Sequence, residues 1–259
     1  MRQFILPETW DGGETCLIEG DRAHYVARVL RLGVGDGFPG RDARGRPWSC
    51  TVLESATGRL LLSVSPSVEE PREEEFQTMM PRIFLVQGMP KGTKMDLIIR
   101  QATEAGVWAI FPLLSSRTIG GDNSGNRSAR WERIVREALQ QSGSNRRTEL
   151  VEPLNLAELP AALSSQGILP SDPRILLHEA PLAQSSMHGY LTGAPEAVVL
   201  CVGPEGGFAP DEVDFLLSQG FRPVRLAGAI LRAETAALYA VAAAQIILSE
   251  RSSWIPRPQ

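Results

Sequence analysis

Apolar and polar residues alternate in the first quarter of the chain, over residues 14–18, 48–53 and 59–64. Period-two alternation predicts half-buried β-strands. Gly12-Gly13, the glycines between positions 33 and 37, and Gly58 separate these runs as turns. One helix interrupts them, with Asp21 as N-cap and Tyr25, Val29 and Leu32 as its apolar stripe. Strands around a single helix predict a small β-barrel. Residues 68–75, acidic and containing Pro71, read as a solvated linker and domain boundary.

From Arg82 onward the period changes. Residues 83–86 are a buried-strand run, and Met95, Ile98, Ile99, Ala102 and Ala105 follow at helical spacing. Residues 107–114 predict the next strand. Trp131, Val135, Ala138 and Leu139 mark a second amphipathic helix. Further strands are expected at 175–177, 198–202 and 223–226, with helices at 210–218 and 234–248. Such alternation predicts an α/β domain: a mostly parallel sheet with helices on both faces. Residues 122–128, rich in Gly, Ser and Asn, form a polar loop between elements.

Composition sharpens the outline. A chain of 259 residues accommodates one large domain or two modest ones. A formal net charge of -4 does not advertise a nucleic-acid partner. The distribution says more. Between Arg117 and Arg147 seven arginines face only Asp122, Glu132 and Glu137. Lys91 and Lys94 are the only lysines among 26 basic residues. Arginine's rigid fork suits phosphates and guanine edges, so the bias fits RNA; it fits a solvated helix face and an arginine-rich codon usage equally. Cys16, Cys50 and Cys201 lie far apart, and with His24, His178 and His188 they form no metal motif. A reducing cytoplasm is the simplest assignment. Residues 1–7 lack the apolar core of a signal peptide. The apolar stretch at 236–248 is shorter than the about 20 residues that span a bilayer, so it reads as a buried helix and no membrane is expected.

Two segments near the C-terminus carry candidate chemistry. Gly203, Pro204, Glu205, Gly206, Gly207 and Phe208 follow a continuous apolar run and precede a helix. Ligands of open α/β sheets bind beyond the carboxyl ends of strands, where glycines let backbone approach a ligand. Pro210 suits the first turn of the next helix, and Asp211 and Glu212 its positive end. No GxxxxGK[ST] and no strand-borne GxGxxG is present, which argues against a nucleotide phosphate site. The second corner carries Leu226, Gly228, Ile230, Leu231 and Arg232, before Glu234, Thr235 and Ala236 open the apolar helix. Arg232 beside long apolar runs has two readings: a structural bridge to Glu234 or Glu205, or a hold on a polar substrate.

The pair GPEGG and LG-x-x-ILR-x-ETA resembles the RsmE family of ribosomal RNA uridine methyltransferases, in the SPOUT superfamily. Further matches follow in order. His24 with Arg28, Val29, Leu30 and Arg31 is similar to the family's H-x-x-x-R-V-L-R. Lys91, Gly92, Lys94 and Met95, then Thr103, Glu104, Gly106 and Val107, are similar to its K-G-x-K-M and T-E-x-G-V. Pro112, Leu113, Ser115, Arg117, Trp131, Glu137 and the run Leu177, His178, Glu179 complete a resemblance over nearly the whole chain. Three positions depart from it: Ala229 and Ser144 stand where arginines are common, and Thr148 where proline is usual.

The resemblance implies a PUA-like β-barrel for RNA at residues 1–70 and a deeply knotted SPOUT domain at 76–250. It further implies a homodimer and S-adenosylmethionine-dependent N3-methylation of a uridine in 16S rRNA of the small ribosomal subunit; no residue is singled out as a metal ligand. The cofactor residues it implies are Leu177, His178, Val202, Gly203, Pro204, Glu205, Gly206, Leu226, Gly228, Ile230, Leu231, Thr235 and Ala236. Loss of the N3 proton leaves negative charge on the uridine oxygens, which a fixed cation stabilises. Arg232 is the expected cation, with Glu205 or Thr235 orienting it. Arg28, Arg31, Arg117, Arg127, Arg146 and Arg147 are the expected RNA contacts. Ribose 2′-O-methylation by the same fold, and a non-catalytic RNA-binding assembly factor, are the competing readings.

Overall fold

In the computed structural model, which describes residues 4–42, 45–67, 80–118, 127–142, 144, 147–179, 182–193, 195–226 and 230–250, the chain divides into two compact units. The first comprises Met1–Arg72 with Arg136–Arg147, the second Glu73–Val135 with Thr148–Gln259. The expected linker at 68–75 lies outside the described residues.

The alternating runs of the first unit become β1 (Phe4–Ile5), β2 (Thr15–Glu19), β3 (Gly37–Arg41), β4 (Pro47–Ala56) and β5 (Arg59–Pro66). They form one sheet in the order β1-β3-β4-β5-β2, antiparallel except for β1 against β3. Every second side chain faces one core: Cys16 and Ile18 from β2, then Leu60, Leu62 and Val64 from β5. Phe4 and Phe38 meet edge to face there at 5.7 Å.

The helix of this unit departs from expectation. α1 (Asp21–His24) is capped by Gly20, not Asp21, because Gly20 sits at φ 59°, where glycine is favoured. The chain then widens into a π-turn over Tyr25–Val29, closed by Leu30 N–H donating to Tyr25 O at 2.9 Å. The wider turn shifts the helical phase. Val26 therefore points into the core, whereas Val29, expected on the stripe, is exposed.

Continuous apolar runs build the second unit. Its strands are β6 (Arg82–Gly88), β7 (Ala109–Leu114), β8 (Glu149–Leu150), β9 (Leu154–Asn155), β10 (Arg174–Leu177), β11 (Ala197–Val202) and β12 (Phe221–Val224). They pair in the order β12-β10-β11-β6-β7-β8, with β9 also on β7, and every pairing is parallel. β12 begins and ends earlier than expected. It stays in register with β10 only to Val224, whose carbonyl accepts from His178 N at 3.0 Å.

The helices of this unit are α2 (Lys94–Glu104), α3 (Arg127–Ser142, whose residues from Arg136 onward belong to the first unit), α4 (Leu159–Ser165), α5 (Met187–Tyr190), α6 (Pro210–Ser218) and α7 (Ala233–Ser249). Arg127 and Ser128, placed in a loop from sequence, open α3; positions 122–126 lie outside the described residues. Asp96 of α2 fastens α3 by accepting from Trp131 Nε1 at 3.2 Å and from Arg130. Thr148, where the family resemblance leads to proline, has a buried hydroxyl that donates to Val107 O at 2.6 Å. α7 is not buried all round as expected. Ala237, Ala240, Val241, Ala244 and Leu248 are buried, and their small size lets α7 lie close to its neighbours. Leu238, Tyr239 and Ile246 stay exposed on its other side.

All three cysteines are core residues and free thiols. Burial pushes the Cys16 thiol up to about 11 and the Cys50 thiol up to about 12, and it raises Cys201 as well. Such thiols are unreactive at neutral pH.

Candidate active site

Strand register brings the two glycine-rich corners together. Leu177 of β10 is opposite Val202 of β11 and Val224 of β12, so three carboxyl ends share one row. Val202 is in turn opposite Gln87 of β6. The chain leaves β6 toward β7 and leaves β11 toward β12, in opposite directions along the sheet. A crevice at such a switch point is where doubly wound sheets bind ligands.

The first corner is held from several sides. Gly207 takes φ 66° and donates to Pro204 O at 2.9 Å, closing a tight turn, and Phe208 buries its ring behind it. At the end of β6 the buried Gln87 uses one amide nitrogen as donor to three carbonyls: Gly88 O at 2.9 Å, Gly203 O at 3.3 Å and Val202 O at 3.4 Å. Next to it, a Cβ on Gly88 would lie 2.5 Å from Pro204 Cδ and 2.7 Å from Pro204 N. Gly88 therefore lets the loop lie directly against β6.

Glu205, expected to orient Arg232, is engaged elsewhere. Its carboxylate accepts from Lys94 Nζ at 2.6 Å and from the Lys91 amide at 3.2 Å. Partial burial alone raises this carboxyl, but the Lys94 and backbone hydrogen bonds outweigh burial and hold it below its ordinary value of 4.5. A depressed folded-state value contributes stability above the unfolded value, and that contribution is lost as pH falls through the folded one. Glu205→Gln is therefore expected to lower the urea midpoint at pH 7 and to approach wild type as pH drops well below 4.5. Lys94 is 38% exposed, so screening limits the effect to about 0.5–1 kcal/mol. A difference that persists undiminished at pH 3 would exclude a charge-based origin.

The second corner is partly described. Leu226 and Leu231 are half-buried, Ile230 is 84% exposed, and Gly228 and Ala229 lie outside the described residues. Arg232 is the exposed N-cap residue of α7, and Thr235 is exposed within the same first turn. Among the described residues no carboxylate pairs with Arg232. Glu205 is on Lys94, and Glu234 has a buried oxygen, Oε2, without a hydrogen-bond partner. The bridge read from sequence is not formed, because Arg232 stays in solvent and burial demands no counter-charge.

The expected RNA arginines fall in both units and differ in their surroundings. Arg28 and Arg31 are exposed on and beyond the π-turn, with Arg31 at φ 58°. Arg127 stacks over Trp131, Arg147 pairs with Glu8, and Arg146 lies outside the described residues. Arg117 instead donates through Nη1 to Gly206 O.

Gln87, Gly88 and Glu212 went unmarked as site residues in the sequence, and Lys94 appeared only as part of a motif. A polar Gln in an otherwise apolar strand was the one signal available for the first. Among the described residues no cluster of three metal-ligating side chains occurs, and no helix is long and apolar enough to cross a membrane.

With this geometry in place, comparison with known proteins is specific. Residues 78–245 match the family model for an RNA methyltransferase domain. Ribosomal RNA small subunit methyltransferase E of Synechocystis sp. is 35% identical over 229 residues, covering 87% of this chain and 71% of that protein. Its counterpart in Mycobacterium bovis is 29% identical over 249 residues, covering 95% and 92%. Among solved structures, the same enzyme from Neisseria gonorrhoeae, bound to S-adenosyl methionine, is 28% identical with a TM-score of 0.76 and covers 95% of this chain and 98% of that one. A Legionella pneumophila protein at 24% identity and TM-score 0.80 shares the fold over 95% of this chain and 97% of that one. The chain belongs to the RNA methyltransferase family of ribosomal RNA small subunit methyltransferase E, RsmE.

Proposed function

We propose that this protein uses S-adenosylmethionine to methylate N3 of a uridine in 16S rRNA of the small ribosomal subunit. The observation that carries the reading is the alignment of the GPEGG loop, the end of β10 and the second corner at one carboxyl edge of the sheet. The residues there fit a neutral adenosine. Tightly turned backbone at Gly203, Pro204 and Gly206 lets a ligand approach the main chain closely, Leu177 and His178 flank it, and Leu226, Ile230 and Leu231 would supply apolar cover. Ile230, 84% exposed at this edge, is accessible to an apolar ligand surface. When bound, S-adenosylmethionine would supply a methyl group activated on sulfur.

The protein's own task is to align the acceptor and stabilise charge. Arg232 stands at the mouth of the second corner as an exposed cation, with Thr235 and Ala236 in the turn behind it. There it would stabilise the anion formed when uridine N3 loses its proton. Glu205 would serve through Lys94, by fixing the loop. Uridine N3 pairs in a duplex, so the target base must be unpaired or flipped.

The remaining architecture supports the same reading. The five-stranded sheet, with residues 1–70, would be a PUA-like barrel presenting Arg28 and Arg31 to RNA, with Arg127, Arg146 and Arg147 as further phosphate contacts. Residues 76–250 would form the knotted SPOUT domain. The exposed apolar side of α7, with Leu238, Tyr239 and Ile246, would be covered by a second copy in a cytoplasmic homodimer.

The test is incubation with 16S RNA or small subunits and isotope-labelled cofactor, followed by nucleoside mass spectrometry. Labelled N3-methyluridine is the expected product. A 2′-O-methylated nucleoside would change the target, and no calorimetric binding at millimolar cofactor would leave an RNA-binding factor.

A further inference from the structure

The turn after β7 is closed on itself. Thr118 N donates to Ser115 O at 2.9 Å, Ser115 N donates to Thr118 Oγ1 at 2.9 Å, and the two hydroxyls lie 3.0 Å apart. From this compact turn one contact reaches the GPEGG loop and a second reaches the helix that follows it. Arg117 Nη1 donates to Gly206 O, within the loop. Ser116 N donates to Glu212 Oε1 at 2.7 Å, while Glu212 Oε2 accepts from Ala209 N at 2.7 Å, directly after Phe208. Glu212 is 7% exposed, so both of its oxygens need partners, and both have backbone amides. It caps α6 and at the same time ties the start of that helix to the turn.

We infer that Arg117 and Glu212 are positioning residues that clamp the GPEGG loop in its binding conformation, Arg117 acting on the loop and not on an RNA phosphate. The inference rests on the loop being the cofactor site. A loop fixed before binding loses less conformational freedom when the cofactor arrives, so the clamp lowers the dissociation constant. The seven-arginine cluster alone makes Arg117 look like a phosphate ligand. Its contact with a backbone carbonyl inside the loop gives it a different task.

Three variants, Arg117→Ala, Arg117→Lys and Glu212→Gln, test this in the full-length protein. In the free protein, hydrogen exchange of residues 203–209 is expected to quicken about tenfold in Arg117→Ala, with Tm within about 2 °C of wild type because the side chain is exposed. Calorimetry without RNA is expected to give a dissociation constant for S-adenosylmethionine raised about five- to tenfold, largely restored by lysine, which can still donate to Gly206 O. Glu212→Gln turns one acceptor into a donor facing an N–H and is expected to act in the same direction. The salt dependence of RNA binding by Arg117→Ala should keep the wild-type slope.

Unchanged exchange in Arg117→Ala would overturn the clamp, whatever the cofactor does. So would a salt slope reduced by about one with unchanged cofactor affinity, the mark of a lost phosphate contact. Wild-type protein that binds no cofactor, with exchange still quickened in the variant, would leave the clamp standing and sink the cofactor reading instead.

Discussion

Gly88→Ala is expected to destabilise the protein by about 1–3 kcal/mol and to weaken cofactor binding at least tenfold. The added methyl group would sit 2.7 Å from Pro204 N and 3.0 Å from the carbonyl carbon of Gly203. Both are backbone atoms, so no rotamer change relieves the contact. Either β6 or the GPEGG loop must move, and the loop is the less restrained of the two. Its displacement would stretch the Gln87 hydrogen bonds to Val202 O and Gly203 O, already 3.4 and 3.3 Å. For a protein of this size the stability loss corresponds to a Tm lowered by about 2–10 °C. Gly37→Ala, in β3 and outside the site, is the matched control, because its Cβ would meet Cys50 O at 3.8 Å, an ordinary contact. A Gly88→Ala protein that melts and binds cofactor like wild type would show that the close approach to Pro204 is not required.

Why Gly88 escapes sequence reading has a physical answer. A single glycine after an apolar run reads as the end of a strand, and it is one. Its further role arises from Pro204, which folding alone brings against it. Gln87 is similar: its polarity inside a buried strand is visible in sequence, but two of its three carbonyl partners are 115 and 116 residues away. The Gly203–Phe208 corner was legible because three glycines at a strand-to-helix junction need backbone conformations and approaches that other residues resist. The layered α/β architecture was legible for a related reason. Strands buried on both faces, such as β11, must be continuously apolar, and helices covering a sheet on one side must be amphipathic.

Local patterns were less reliable where a single side chain had two uses. The charge excess around Arg117 drew attention to phosphates, whereas its partner Gly206 lies 89 residues downstream. Glu212 read as a favourable acid in the first turn of a helix, which it is, but its other oxygen holds Ser116, 96 residues earlier. α7 looked buried from its composition. Ala233, Ala237, Ala240 and Ala244 are, and its larger residues Leu238, Tyr239 and Ile246 are not. Periodicity predicts which residues share a face. It does not say how many faces the rest of the same chain will cover.

The largest kinetic effect is expected at Arg232. Arg232→Ala should lower kcat by about 10²–10³, the usual loss when one preorganised donor to a developing anion is removed. The cofactor dissociation constant should stay within about twofold, because an anion-stabilising cation is needed when the nucleobase ionises and not when the cofactor binds. The fold should be unaffected: the side chain is exposed, makes no ion pair among the described residues, and surface truncations of that kind change stability by about 0.5 kcal/mol or less. Arg232→Lys should recover part of the rate, since charge survives while the two-pronged geometry is lost. The pH profile supplies a further discriminator. If Arg232 favours the N3 anion, wild-type kcat should level off at a lower pH than that of Arg232→Ala, and the deficit of the variant should shrink as pH rises. Single-turnover rates across pH, measured beside cofactor affinity, separate this role from a binding one. An alanine variant with near-normal kcat, or one whose whole defect lies in cofactor affinity, would move the anion-stabilising role to another group at the carboxyl edge.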